Sequence, residues 1–91
     1  MRMAPFQMIW SRIIEHAGET FFTKTGLKFT YEVVGNRFRA RRSNYRSAKN
    51  DFEKAYRLIP ITGPGEISEI VRGPSYVWGV LHDKRINNGK W

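Results

Sequence analysis

Leu27-Lys28-Phe29-Thr30-Tyr31-Glu32-Val33-Val34-Gly35-Asn36-Arg37-Phe38-Arg39-Ala40-Arg41-Arg42 decides how this chain folds. Leu27, Phe29, Tyr31 and Val33 alternate with Lys28, Thr30 and Glu32, the period of two of a half-buried strand. Gly35-Asn36 then supplies a two-residue turn in which positive φ is cheap, so Val34 is expected to pair with Arg37. The rest of the register follows: Val33 faces Phe38, Glu32 faces Arg39 and Tyr31 faces Ala40. Apolar residues gather on one side of this hairpin and charge on the other.

Upstream, a second turn at Thr25-Gly26 is expected to return residues 20–24 onto the same strand, with Phe22 opposite Phe29 on the apolar face and Phe21 opposite Thr30 on the polar one. The result is a three-stranded antiparallel meander over about residues 20–42. Before it, Phe6, Ile9, Trp10, Ile13 and Ile14 recur at helical spacing between Pro5, which suits a first turn, and Gly18, which suits a helix end.

Beyond Arg42, Ser43-Asn44-Tyr45-Arg46-Ser47 reads as a polar loop. Asn50 and Glu53 have capping-box spacing, and Phe52, Ala55, Tyr56 and Ile59 predict a second helix over residues 51–58 that Pro60 ends. Ile67, Ile70 and Val71 form a short stripe, Gly73-Pro74-Ser75 breaks it, and Val77, Trp78, Val80 and Leu81 mark a last helix ending near Asp83. Residues 84–91 read as a flexible polar tail. The fold expected is α+β, its meander covered on one face by an N-terminal helix and two to three C-terminal helices.

With 91 residues the chain suits one small domain, since domains run to roughly 50–250 residues. The absence of cysteine removes disulfides and thiolate metal sites. No apolar run approaches the ~18–20 residues of a membrane span, and residues 1–10 lack the features of a signal peptide, so a cytoplasmic protein without membrane partners is expected. Sixteen Lys and Arg against eight Asp and Glu give a net charge of +8, an electrostatic footprint for phosphate.

That charge is concentrated. Arg37, Arg39, Arg41, Arg42, Arg46 and Lys49 follow one another with no acidic residue between them. In the expected strand Arg37, Arg39 and Arg41 share the solvent face with Lys28 and Thr30, and the planar guanidinium fork suits phosphate oxygens. The bland alternative is a solvated strand face that discourages edge pairing, with Glu32–Arg39 as a simple salt bridge. Phe21 and Tyr45 are candidate stacking partners for unpaired bases, or else packing residues.

Between Glu66 and Leu81, a short helix, a tight turn and a second helix headed by Ser75-Tyr76-Val77 resemble a helix-turn-helix, whose second helix enters the major groove of DNA. That resemblance implies a second contact region at Arg72, Tyr76 and Lys84. The usual glycine and small residue are replaced by Gly-Pro and by Ser68 and Glu69, and the alternative is a helix pair that covers the sheet.

Catalytic constellations are poor. His16 and His82 have no partner at metal spacing, adjacent His82 and Asp83 do not face each other on a helix, and Glu15 with Glu19 straddles Gly18. Glu66 and Glu69 suit a helix start, and Gly63 and Gly65 lack the Lys-Ser/Thr of a phosphate-binding loop. The expectation is a non-enzymatic protein without cofactor or metal that binds DNA or RNA, DNA foremost. The alternative is an adaptor for an acidic protein, anchored by Trp78 and Trp91.

Overall fold

The computed structural model describes residues 4–41, 46–59 and 61–91. Helix α1 (Phe6–Glu15) starts after Pro5, buries Ile9, Trp10 and Ile13, and gives way to a turn at Gly18 with φ of 90°. Ile14, expected on the buried face, points to solvent instead.

Strands β3 (Tyr31–Val34) and β4 (Arg37–Ala40) pair in the register set by the two-residue turn, with Tyr31↔Ala40, Glu32↔Arg39, Val33↔Phe38 and Val34↔Arg37. The upstream strand differs from expectation. β1 (Phe21–Phe22) and β2 (Lys28–Phe29) form a separate two-stranded sheet, paired Phe21↔Phe29 and Phe22↔Lys28. The turn is one residue longer than the Thr25-Gly26 reading: the Thr23 N–H donates to the Leu27 carbonyl at 3.0 Å, and Gly26 carries φ of 91°. One added residue reverses the faces. Phe21 is therefore fully buried and Phe22 half exposed, the opposite of the sequence reading.

The three-stranded meander lies further along the chain. Its third strand is β5 (Arg46–Ala48), read from sequence as loop, which pairs Arg37↔Ala48, Phe38↔Ser47 and Arg39↔Arg46. Helix α2 (Lys49–Arg57) starts earlier than predicted, because the Asp51 carboxylate accepts the Ala48 N–H at 2.9 Å, while Glu53 pairs with Arg57 at 3.2 Å. Pro60 lies outside the described residues. A 3-10 turn at Pro64–Ile67 leads to α3 (Pro74–Leu81), entered through Gly73 at φ of 61°. The fold class is α+β, with helices on one face of a small antiparallel sheet.

Residues 84–91 are not a loose tail. Helix α4 (Lys84–Asn87) begins where the Asp83 carboxylate accepts the Arg85 N–H at 2.9 Å, and Ile86 is fully buried. Arg85 then ties the segment down through Asp83 at 2.8 Å, Glu19 at 2.9 Å and the Thr20 carbonyl at 2.6 Å, with its guanidinium 3.8 Å above the Phe21 ring. These hydrogen bonds hold the Asp83 carboxyl below its ordinary pKa. The Trp91 indole donates to the Leu81 carbonyl at 2.9 Å and closes the end of the chain.

Aromatic rings link the layers in one series: Trp10–Phe52 at 5.8 Å, Phe52–Phe38 at 4.9 Å, Phe38–Tyr31 at 4.7 Å and Tyr31–Phe21 at 5.1 Å between centroids. Such pairs add about 0.5–1.5 kcal/mol each beyond their burial. The buried Tyr31 hydroxyl donates to the Ile13 carbonyl at 2.6 Å, which joins β3 to α1, and burial raises its pKa.

Helix α3 lies against β1 at Gly79, where an added Cβ would stand 2.5 Å from the Phe22 carbonyl oxygen. Backbone cannot yield there as a flexible side chain does. Gly79→Ala is expected to lose about 1–3 kcal/mol of stability by overpacking. Thermal unfolding checks this, and an unchanged midpoint would contradict the close approach of α3 to β1.

Candidate functional site

Alternation along β3, β4 and β5 sends Tyr31, Phe38, Ala40 and Ser47 inward, and Glu32, Val34, Arg37, Arg39, Arg46 and Ala48 toward solvent. Paired residues share a face, so the outer surface carries two rows: Val34–Arg37–Ala48 and Glu32–Arg39–Arg46. Directly opposed side chains have Cβ atoms ~4.5–5.5 Å apart. Arg39 and Arg46 thus stand opposite one another as like charges, with Glu32 beyond Arg39 at 2.5 Å.

A residue distant in sequence joins them. Ser47 points into the protein and donates its hydroxyl to the Arg72 carbonyl at 2.6 Å, which fixes the loop before α3 beside β5. Arg37, Arg46, Ser47, Ala48, Asp51 and Arg72 line a cleft of about 410 Å³. Glu32, Val34, Arg37, Phe38, Arg39 and Arg46 line a hollow of about 320 Å³ on the sheet itself. Arg37 and Arg46 border both. Among the described residues, Arg37, Arg41, Arg46 and Arg72 make no ion pair or hydrogen bond through their side chains.

The structure brings together Arg37, Arg39, Arg46 and Arg72 from the residues singled out in sequence. Arg41 is exposed next to them, its N–H bonded to the Thr30 carbonyl at 2.9 Å. Lys28 instead belongs to the two-stranded sheet, paired with Phe22. Lys49 opens α2, half-buried, with its N–H on the Asn36 carbonyl at 2.8 Å. Arg42 and Tyr45 lie outside the described residues.

The helix-turn-helix likeness does not carry over into the structure. Its first helix is a single 3-10 turn, and α3 buries Val77, Gly79, Val80 and Leu81 and leaves Ser75 exposed and Trp78 half-buried on its outer side. Tyr76 is half-buried with its ring 4.9 Å from Phe29, and Lys84 sits on α4, which packs against α1 and α3. Of the second contact region, Arg72 lies beside the sheet face, Tyr76 is half-buried and Lys84 is exposed on α4. Ser47 gave no signal in sequence, because it closes the polar run Ser43-Asn44-Tyr45-Arg46-Ser47, which reads as loop.

Phe21 is buried beneath Arg85 and is withdrawn from stacking on a base. Both candidate anchors, Trp78 and Trp91, are occupied. Trp78 stacks on His82 at 4.3 Å under Lys24, and its indole N–H reaches the Ile61 carbonyl at 3.4 Å, while Trp91 bonds Leu81. Neither is a free anchor for a partner.

His16 bonds Glu19 at 2.9 Å, and burial lowers the pKa of His82, whose Nδ1 lies 3.0 Å from the Trp78 carbonyl. Glu66 accepts from the Thr62 backbone at 2.8 Å and from its hydroxyl. Among the described residues no group of three His, Asp or Glu is placed to hold a metal, and no helix is long and apolar enough to cross a membrane.

Opposed arginines cost folding free energy that a protein evolved only for stability would avoid. Arg46→Thr is expected to raise stability by about 0.2–1 kcal/mol. The gain should shrink between 0.1 M and 1 M salt as the screening length falls from about 10 Å to about 3 Å. Urea unfolding at the two salt concentrations measures it, and a loss of stability at low salt would show that Arg46 is not held against repulsion.

Comparison of the chain with family models, with curated proteins and with solved structures finds no match in any of the three.

Proposed function

We propose that this protein binds nucleic acid, duplex DNA foremost, by gripping backbone phosphates with the outer face of β4 and β5. Arg37, Arg39, Arg46 and Arg72 make the contact, with Arg41 at its border. One observation carries the reading: side chains from two strands and a distant loop gather at one surface, and three of these four arginines have no intramolecular side-chain partner among the described residues.

Phosphate supplies the missing counter-charge. A guanidinium donates two parallel hydrogen bonds to its oxygens, and each contact releases condensed counterions from the duplex. Among the described residues, the outward Glu32, Val34, Arg37, Arg39, Arg46 and Ala48 include no aromatic ring, so these side chains suit phosphate better than splayed bases. Contacts of this kind give affinity and register before sequence specificity, which suits an accessory or architectural role. An acidic protein partner is the weaker reading, because Trp78 and Trp91 have their indole N–H groups on Ile61 and Leu81.

Fluorescence anisotropy with labelled duplex DNA, single-stranded DNA and RNA at several salt concentrations tests this. Each phosphate contact contributes a slope of about −0.9 in log affinity against log salt on duplex. The triple variant Arg37→Ala, Arg39→Ala, Arg46→Ala is expected to bind weakly and to flatten the slope by roughly 3. Lys54→Ala with Lys90→Ala should change little. No binding of any probe by the wild type at low salt would end the proposal.

A further inference from the structure

Resting on that reading, we infer that the cleft between β5 and the Arg72 loop seats a terminal phosphate monoester of a nucleic-acid strand, while the open sheet face takes the internal diesters. The cleft's charge selects this ligand. Three guanidinium groups, Arg37, Arg46 and Arg72, and one carboxylate, Asp51, leave +2 around it. The Asp51 carboxylate accepts the Ala48 N–H at 2.9 Å, and among the described residues it forms no ion pair with these arginines. A phosphate monoester carries about −1.5 to −2 at pH 7, and a diester only about −1.

Shape agrees with charge. At about 410 Å³ the cleft falls in the range of roughly 300–1,000 Å³ typical of small-ligand sites, enough for a phosphate and its attached sugar. Arg37 and Arg46 border both the cleft and the sheet hollow, so a strand laid along the face runs into the cleft and meets Arg72 at its far side. Ser47 holds that side in place through the Arg72 carbonyl, which leaves the guanidinium free for the ligand.

The test compares otherwise identical blunt duplexes that end in 5′-phosphate, 3′-phosphate or hydroxyl, by anisotropy at fixed salt. One phosphorylated end is expected to bind about tenfold tighter than hydroxyl, the effect of an added charge-assisted contact. Arg72→Gln should erase that preference, whereas Lys54→Ala, away from the face, should keep it. The preference should also fade between pH 7.5 and pH 5.5, through the monoester's second pKa near about 6, a range in which arginine does not titrate.

Equal binding of phosphorylated and hydroxyl ends would overturn the inference and leave backbone binding standing. Binding of no duplex at all would overturn both. A phosphoserine peptide that bound tighter than the phosphorylated duplex would assign the cleft to a protein ligand and overturn the nucleic-acid source.

Discussion

A two-residue turn leaves an antiparallel pair no freedom of register, and Gly35-Asn36 imposes that constraint at the centre of this fold. Once Val34 faces Arg37, Tyr31, Phe38 and Ala40 must point the same way, and they meet α1 and α2 through Trp10 and Phe52. The same step sends Arg37 and Arg39 outward. β5 copies the alternation and adds Arg46, so core and basic face are two sides of one register. A slip by one residue would bury the arginines and expose the aromatic series.

The basic residues divide by what holds them. Arg85 is enclosed by Asp83, Glu19 and the Phe21 ring; Arg12 donates to the Ile86 carbonyl at 2.9 Å, and Lys24 to the Thr62 carbonyl at 2.7 Å. These cations fasten α4 and the loop before α3 to the rest of the protein. The face arginines lack comparable restraints: Arg39 has Glu32, and Arg37, Arg46 and Arg72 have no ion-pair partner among the described residues. Net charge alone does not separate the two groups, whereas hydrogen-bond geometry does.

Sequence made the central hairpin legible because turn length and hydrophobic alternation agreed on one register. It misplaced β1, since a loop with Gly26 in the left-handed region has one more residue than Thr25-Gly26 suggests, and that single residue exchanged Phe21 with Phe22. β5 escaped because Ser47 is buried by a hydrogen bond to Arg72, a contact across the fold that no local pattern encodes. The segment after Asp83 looked polar for a related reason: Arg85 is folded in through partners far along the chain at Glu19 and Thr20. The arginines of the face were visible in sequence; the cleft they form with Arg72 was not.

The central claim is that a phosphate ligand meets the outer face of β4 and β5. A two-dimensional ¹⁵N NMR titration that follows both backbone amides and arginine side-chain Nε–H groups, with a short DNA duplex added, tests it most directly. The account predicts shifts confined to β4, β5, the first turn of α2 and Arg72, with Arg12 and Arg85 undisturbed. Shifts centred on α1 and α4, or spread evenly over every exposed cation, would contradict it.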